Sequence, residues 1–245
     1  MIASPWYRIY DRRVTGPVRL VCFPHAGGSA AYYRFIAEHV GHLAQVLGVQ
    51  YPGRLDRFTE PCVDDLDLLA DSIYPALSGL PPMPTAYFGH SMGAVLAFEV
   101  ARRLERAGGE LTHLFLSGRR APSRPKRDTD VDALTDTEVV AMLERLGGTS
   151  SEVLAIPEML DALMPSIRAD YRALWRYRSD PSATVTAPVT ALVGDADPVV
   201  TVSEVGSWSS HTGGRFDLKV FPGGHFYLSA MPEAVTGTIL AELSR

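Results

Sequence analysis

Apolar residues along this chain fall into two alternating patterns. Val18-Arg19-Leu20-Val21-Cys22-Phe23 is a short, dense apolar run closed by Pro24. Runs of this length, rich in β-branched residues and ended by a turn residue, read as strands buried on both faces. Ala44–Val49, Thr85–Phe88, Leu111–Leu116, Val189–Val193 and Phe216–Phe221 have the same form. Between them lie longer stretches with helical spacing: Tyr32–Val40, Leu66–Leu77 and Ala94–Ala101. Met231–Leu243 reads as a last helix, with Pro232 tolerated in its first turn. The alternation predicts an α/β fold: a doubly wound, mostly parallel sheet with helices on both faces.

The alternation breaks at about 120–185. A Pro-rich basic loop, Arg119–Arg127, is followed only by helical patterns, Asp136–Leu146 and Pro157–Tyr177. A crossover between parallel strands needs about a dozen residues. The excess is expected to be a helical lid inserted over the carboxyl edge of the sheet, where α/β sites lie. The whole chain, 1–245, then reads as one domain.

Gly89-His90-Ser91-Met92-Gly93 stands where a strand pattern gives way to a helix pattern. Strand, Gly-x-Ser-x-Gly, helix is the setting of a nucleophile elbow. The turn is so sharp that a side chain at either glycine would collide with the adjacent strand or helix. Ser91 is thereby exposed at a helix N-terminus, where free N–H groups favour developing negative charge. A serine hydroxyl needs a base. Of seven histidines, His225 is the best placed, in the Gly-rich loop Phe221-Pro222-Gly223-Gly224-His225-Phe226 after the last strand. His90 is next to the serine, but neighbours on a turn point different ways. His39, His42, His113 and His211 read as ordinary surface or core residues.

An orienting carboxylate is expected in Gly194-Asp195-Ala196-Asp197-Pro198. Its place between serine and histidine gives the chain order of this triad class. Two aspartates compete. Asp197 lies further into the loop and can turn to His225, while Asp195 suits a turn cap. One oxyanion donor should be the N–H of Met92, the residue after the nucleophile. The other should come from the loop Pro24-His25-Ala26-Gly27-Gly28-Ser29. A dinucleotide-binding loop is the rival for that segment, but it lacks Gly-x-Gly-x-x-Gly.

Composition narrows the classes further. Net charge is −5, with 46% hydrophobic and 21% charged residues, so overall charge argues for neither nucleic acid nor an anionic membrane. No apolar run is long enough to span a bilayer, and the first residues lack a signal-peptide pattern, so the expectation is cytoplasmic. Cys22 and Cys62 supply no metal-ligand spacing and no disulfide framework. Neither metal nor cofactor is expected.

Taken together, Phe23–Gly28, Gln50-Tyr51-Pro52-Gly53-Arg54, Gly89–Gly93, Leu116–Arg119, Gly194–Asp197 and Gly223–Phe226 resemble a type II thioesterase. That family comprises free-standing editing hydrolases of polyketide and non-ribosomal peptide synthesis, with an α/β-hydrolase fold. The resemblance covers nearly the whole chain. It implies Ser91, Asp197 and His225 as triad, and the N–H groups of Ala26 and Met92 as oxyanion hole. It implies a lid that admits acyl-phosphopantetheine from an acyl or peptidyl carrier protein. His25 and Gly27 become candidate substrate contacts. Leu143, Leu163 and Ile167, with Leu146 and Leu174, are expected to line an acyl chamber. Arg54 has a blander reading, as a brace for its loop. Arg119, Arg120, Arg124, Lys126 and Arg127 are candidates for docking an acidic carrier, and Arg168, Arg172 and Arg176 form a second basic stripe. A monomer is expected. Two other readings stay open: a small-molecule carboxylesterase with the same triad, and a catalytically silent hydrolase-fold binding module.

Overall fold

A computed structural model describes residues 4–11, 16–41, 43–125, 127–148 and 156–245. His42 and Lys126 lie outside the described residues. Seven described strands form one sheet: β1 Tyr7–Ile9, β2 Val18–Phe23, β3 Ala44–Val49, β4 Thr85–His90, β5 His113–Ser117, β6 Val189–Gly194 and β7 Phe216–Phe221. Their order is β1-β3-β2-β4-β5-β6-β7. Every pair is parallel except β1 with β3. The expected doubly wound, mostly parallel sheet is therefore present. β1 was not expected; it has only three residues, all half-buried, and is held by pairing with Leu47–Val49.

β2 to β6 bury both faces, as their dense apolar runs require, while β7, at the edge of the sheet, is mostly half-buried. On β2, Val21 and Phe23 join one core with α2, Leu66–Ser78, and α3, Met92–Arg106. Leu20 and Cys22 join a second core, on the opposite face, with α1, Arg34–Val40, and the C-terminal helix Pro232–Leu243. The chain leaves β2 towards α1 and leaves β4 towards α3. These adjacent strands thus send their carboxyl ends to opposite faces, which opens a crevice between them.

The cap enters between β5 and β6, neighbours in the sheet. Its helices are α4, Asp136–Leu146, and α5, Pro157–Arg176. Thr135 and Glu138 form a reciprocal capping box at the start of α4, and left-handed Gly147 ends it. Pro157 opens α5, where its missing N–H costs nothing. Val131, Val139, Met142, Leu143, Met164 and Ile167 form a third, separate apolar cluster. The end of α5 belongs elsewhere: Ala173 and Leu174 are part of the main core. Leu174 is thus a core residue rather than a member of the cap cluster.

Candidate active site

Ser91 sits between β4 and α3 with φ 55° and ψ −117°. This is a strained conformation for a side-chain-bearing residue, and it persists only where the surroundings enforce it. Here the enforcement is main chain: the Ser91 N–H donates to the carbonyl of Ser117 on β5 at 2.8 Å. The glycines are required by close approach. A Cβ on Gly93 would stand 1.9 Å from the Phe23 carbonyl oxygen, and one on Gly89 2.1 Å from that of Gly93. Met92 is the first residue of α3, so its N–H has no partner one turn back.

Across the sheet edge, Asp197 Oδ2 lies 2.7 Å from His225 Nδ1. Both side chains are almost wholly buried. The other oxygen, Oδ1, accepts from the N–H groups of Val199 at 2.7 Å and Val200 at 3.3 Å. The carboxylate is thereby fixed by backbone on one side and holds the imidazole on the other. Asp195 does something else. Its Oδ1 accepts from the Gly223 N–H at 2.9 Å, tying the strand end to the histidine loop. Of the two aspartates, only Asp197 bonds to His225.

The segment 24–29 lies in the crevice between β2 and β4. The His25 carbonyl accepts from the Gly28 N–H at 2.9 Å, closing a turn around Ala26 and Gly27. Among the described residues, no hydrogen bond engages the Ala26 N–H. The Tyr51-Pro52-Gly53-Arg54 segment props this turn from below. The Tyr51 hydroxyl donates to the Pro24 carbonyl at 3.0 Å. Arg54 Nη1 donates to the Gly28 carbonyl at 3.0 Å. Arg54 also grips Asp170 of α5 with both forks, at 2.7 and 2.9 Å. Arg54 does brace its own loop, donating to the Pro52 carbonyl at 3.3 Å, but it also ties that loop to the Gly28 turn and to the cap. The Gly27 N–H is occupied by Asp170 Oδ2 at 2.7 Å, so it is not available to a substrate oxygen.

His25 and His90 are buried beside His225. His25 packs edge-on against Tyr32 and Phe226, at 4.6 and 4.8 Å between ring centres. Burial first, then the proximity of His225 and Arg54, pushes its pKa down to about 3. It is therefore neutral near pH 7, and its Nδ1 is buried with no hydrogen-bond partner among the described residues. His90 Nδ1 is 2.9 Å from the Ser117 hydroxyl, which is 2.7 Å from the Tyr227 hydroxyl. Burial holds the His90 pKa well below the ordinary histidine range. His90 thus faces away from a base's role, as the turn geometry suggested.

The basic loop departs from its expected exposure. Arg119 is buried and forks onto Asp128 at 2.7 and 3.0 Å. Arg120 is buried too, donating to the Val199 carbonyl at 2.5 Å. Neither faces a partner. Arg124 and Arg127 are exposed; Arg124 donates to Ser207 Oγ, and Arg127 lies 3.8 Å from Glu204. The second stripe is paired within the chain: Arg168 with Asp136, Arg172 with Asp132 and Arg176 with Asp64. In the cap, Leu143 and Ile167 are buried and Leu163 partly so. Ile167 reaches the crevice, where a Cβ on Gly27 would stand 2.9 Å from its Cγ1. Sequence reading missed Asp170. The signal was a carboxylate inside the apolar stripe Ile167, Ala173, Leu174.

Among the described residues no cluster of His, Cys, Asp and Glu has metal-binding form, and no helix is long and apolar enough to cross a membrane. Residues 18–243 match the thioesterase domain family. The chain is 44% identical to thioesterase PikA5 of Streptomyces venezuelae, over 91% of this chain and 80% of that one. It is 45% identical to a probable cadicidin biosynthesis thioesterase of Streptomyces griseus, over 98% of this chain and 66% of that protein's length. Its fold superimposes on the type II thioesterase BorB from the borrelidin biosynthetic cluster with a TM-score of 0.92, at 44% identity and 99% coverage of both chains. The chain therefore belongs to the thioesterase domain family, as an α/β-hydrolase enzyme that acts on thioesters.

Proposed function

We propose that the chain is a type II thioesterase that removes stalled or aberrant acyl groups from the phosphopantetheine arm of acyl or peptidyl carrier proteins. The observation that carries the mechanism is the buried Asp197–His225 bond, 2.7 Å long, at the same sheet edge as the strained Ser91. With Nδ1 committed to Asp197, His225 has Nε2 left to take the Ser91 proton. Ser91 Oγ then attacks the thioester carbonyl, and the new oxyanion is held by the N–H groups of Met92 and Ala26. The C–S bond breaks, and the leaving sulfur takes the proton back from His225. Water, deprotonated by His225, attacks the acyl-serine ester and releases the acid. Asp197 stays ionised and stabilises the imidazolium at each stage. Ile167, Leu143 and Leu163 supply apolar surface from the cap to the acyl chain, and the neutral His25 contacts the substrate beside them. Exposed Arg124 and Arg127 meet an acidic carrier. In this reading the chain works as a monomer in the cytoplasm.

Similar structures named as type II thioesterases of a biosynthetic cluster and of an NRPS/PKS pathway support the carrier-bound substrate. The test is hydrolysis of a panel of acyl-carrier proteins against the matching small acyl thioesters and short esters. Higher kcat/KM on the carriers is expected. A preference for short oxygen esters would make the chain a carboxylesterase. Failure of Ser91 to label with a fluorophosphonate would make it a binding module.

A further inference from the structure

Arg54 and Asp170 are 116 residues apart, and their side chains are 5% and 0% exposed. A buried pair of this kind adds little net stability over apolar side chains of the same size. Its hydrogen bonds show another use. Asp170 Oδ2 accepts from the Gly27 N–H as well as from Arg54 Nη1, both at 2.7 Å. The same Arg54 nitrogen donates to the Gly28 carbonyl at 3.0 Å. The pair therefore holds both ends of the Gly27–Gly28 segment.

That segment fixes one N–H direction. The Gly28 N–H is bonded to the His25 carbonyl at 2.9 Å. The His25 carbonyl and the Ala26 N–H belong to one planar trans peptide, so they point in opposite directions. Once Gly28 pulls the carbonyl one way, the Ala26 N–H is aimed the other way. Gly27 itself has φ +75°, and Asp170 holds its N–H. Loss of that anchor frees the turn to rotate and with it the donor.

We propose that Arg54 and Asp170 are positioning residues that aim the Ala26 N–H at the reacting oxygen, so that the cap helix α5 sets the oxyanion hole from outside it. This rests on reading Ala26 as an oxyanion donor. It also couples the cap to the chemistry: a swing of α5 that parts Asp170 from Arg54 releases the donor.

The experiment uses the full chain, a small acyl thioester and an alkyl boronic acid, whose adduct on Ser91 places an oxygen where the oxyanion forms. Arg54→Met with Asp170→Leu removes both charges and keeps apolar volume, so melting temperature should fall only by the cost of leaving the Gly27 N–H and the Gly28 carbonyl without these partners. Arg54→Lys keeps the charge but loses the fork. The double variant should lose about 10²-fold in kcat, with KM within about twofold, since misplacing one donor costs on that order. Boronate affinity should fall by a similar factor, and Arg54→Lys should lie between. Unchanged kcat and boronate affinity in either folded variant would overturn the inference. So would a kcat loss that only tracks the unfolded fraction. If the double variant does not fold, Arg54→Lys decides on the same three readouts. Replacing the His25–Ala26 amide by an ester removes the Ala26 donor and leaves the His25 carbonyl in place as a weaker acceptor for the Gly28 N–H. An ester form with full kcat sinks the reading of Ala26; a disabled ester form beside fully active Arg54 variants sinks only the positioning role.

Discussion

Asp197 is held by the N–H groups of Val199 and Val200, and Ser91 by a main-chain bond to Ser117. In the cap, Arg119, Arg168 and Arg172 are held by the carboxylates of Asp128, Asp136 and Asp132. The sheet edge therefore takes its geometry from backbone that six parallel strands have already fixed. The cap takes its geometry from side-chain pairs and one small apolar cluster. Reacting groups need positions good to a fraction of an ångström, and the rigid element supplies them. A cover that must admit substrate can be fastened more loosely. Asp170 is one of the residues that join the two regions, since it is a cap residue bonded to the crevice turn.

The largest expected effect lies at the edge. Ser91→Ala should lower kcat on the order of 10⁶-fold. Asp197→Asn should cost roughly 10⁴-fold, because an amide favours the wrong imidazole tautomer. Asp195→Asn should cost far less, since that carboxylate only ties Gly223 to the strand end. Steady-state kinetics on one small thioester checks all three. Equal losses at the two aspartates would mean that loop anchoring, not the His225 bond, sets the rate.

How much of this was legible in the sequence differs between the same two regions. Five strands could be read as dense apolar runs, and β7 as the alternating run Phe216–Phe221 closed by Pro222. α4 could be read from its helical spacing, Asp136–Leu146, and the structure shows Thr135, Glu138 and Gly147 fixing those bounds. β1 could not, because three half-buried residues carry no period. The candidates Ser91, Asp197 and His225 were legible because their order and their strand ends are local features. The cap's charges were not. Arg119 and Arg120 look like part of an exposed basic run, but their partners lie at Asp128, Val199 and Glu204. Clustering along the chain says nothing of pairing in space. Asp170 was hidden for the same reason, since Arg54 is far away in sequence.

A smaller effect should separate core from cap. Leu116→Ala in β5 and Leu143→Ala in α4 each remove a buried leucine, and each should cost about 2–5 kcal/mol. The cost should be felt differently. Leu116 belongs to the main core, so its loss should lower the melting temperature of the whole chain. Leu143 belongs to the separate cap cluster, so its loss should open that cluster locally. Hydrogen exchange should quicken in α4 and the first half of α5, and hold steady in β4 to β6. The second half of α5 should stay protected, since Ala173 and Leu174 are core residues. Equal quickening in the central strands would show that cap and sheet unfold as one unit.

The smallest effect concerns the exposed part of the basic loop. Arg124→Gln with Arg127→Gln should raise KM for an acyl-carrier protein a few-fold at low salt, since exposed charges each contribute little. The same variant should leave kcat/KM for a small thioester unchanged, because these arginines contact Ser207 and Glu204 and not the crevice. The effect should fade as ionic strength passes physiological, where the screening length falls below about 8 Å. Arg119→Gln should behave in the opposite way. It breaks a buried fork with Asp128, so melting temperature should drop while the carrier's salt dependence is kept. The contrast tests whether charge in this loop works outward or inward. If the double glutamine variant hydrolyses the carrier substrate as well as the parent at low salt, the docking role is wrong. The loop would then be a connector whose inner arginines fasten the cap and whose outer ones are only solvated.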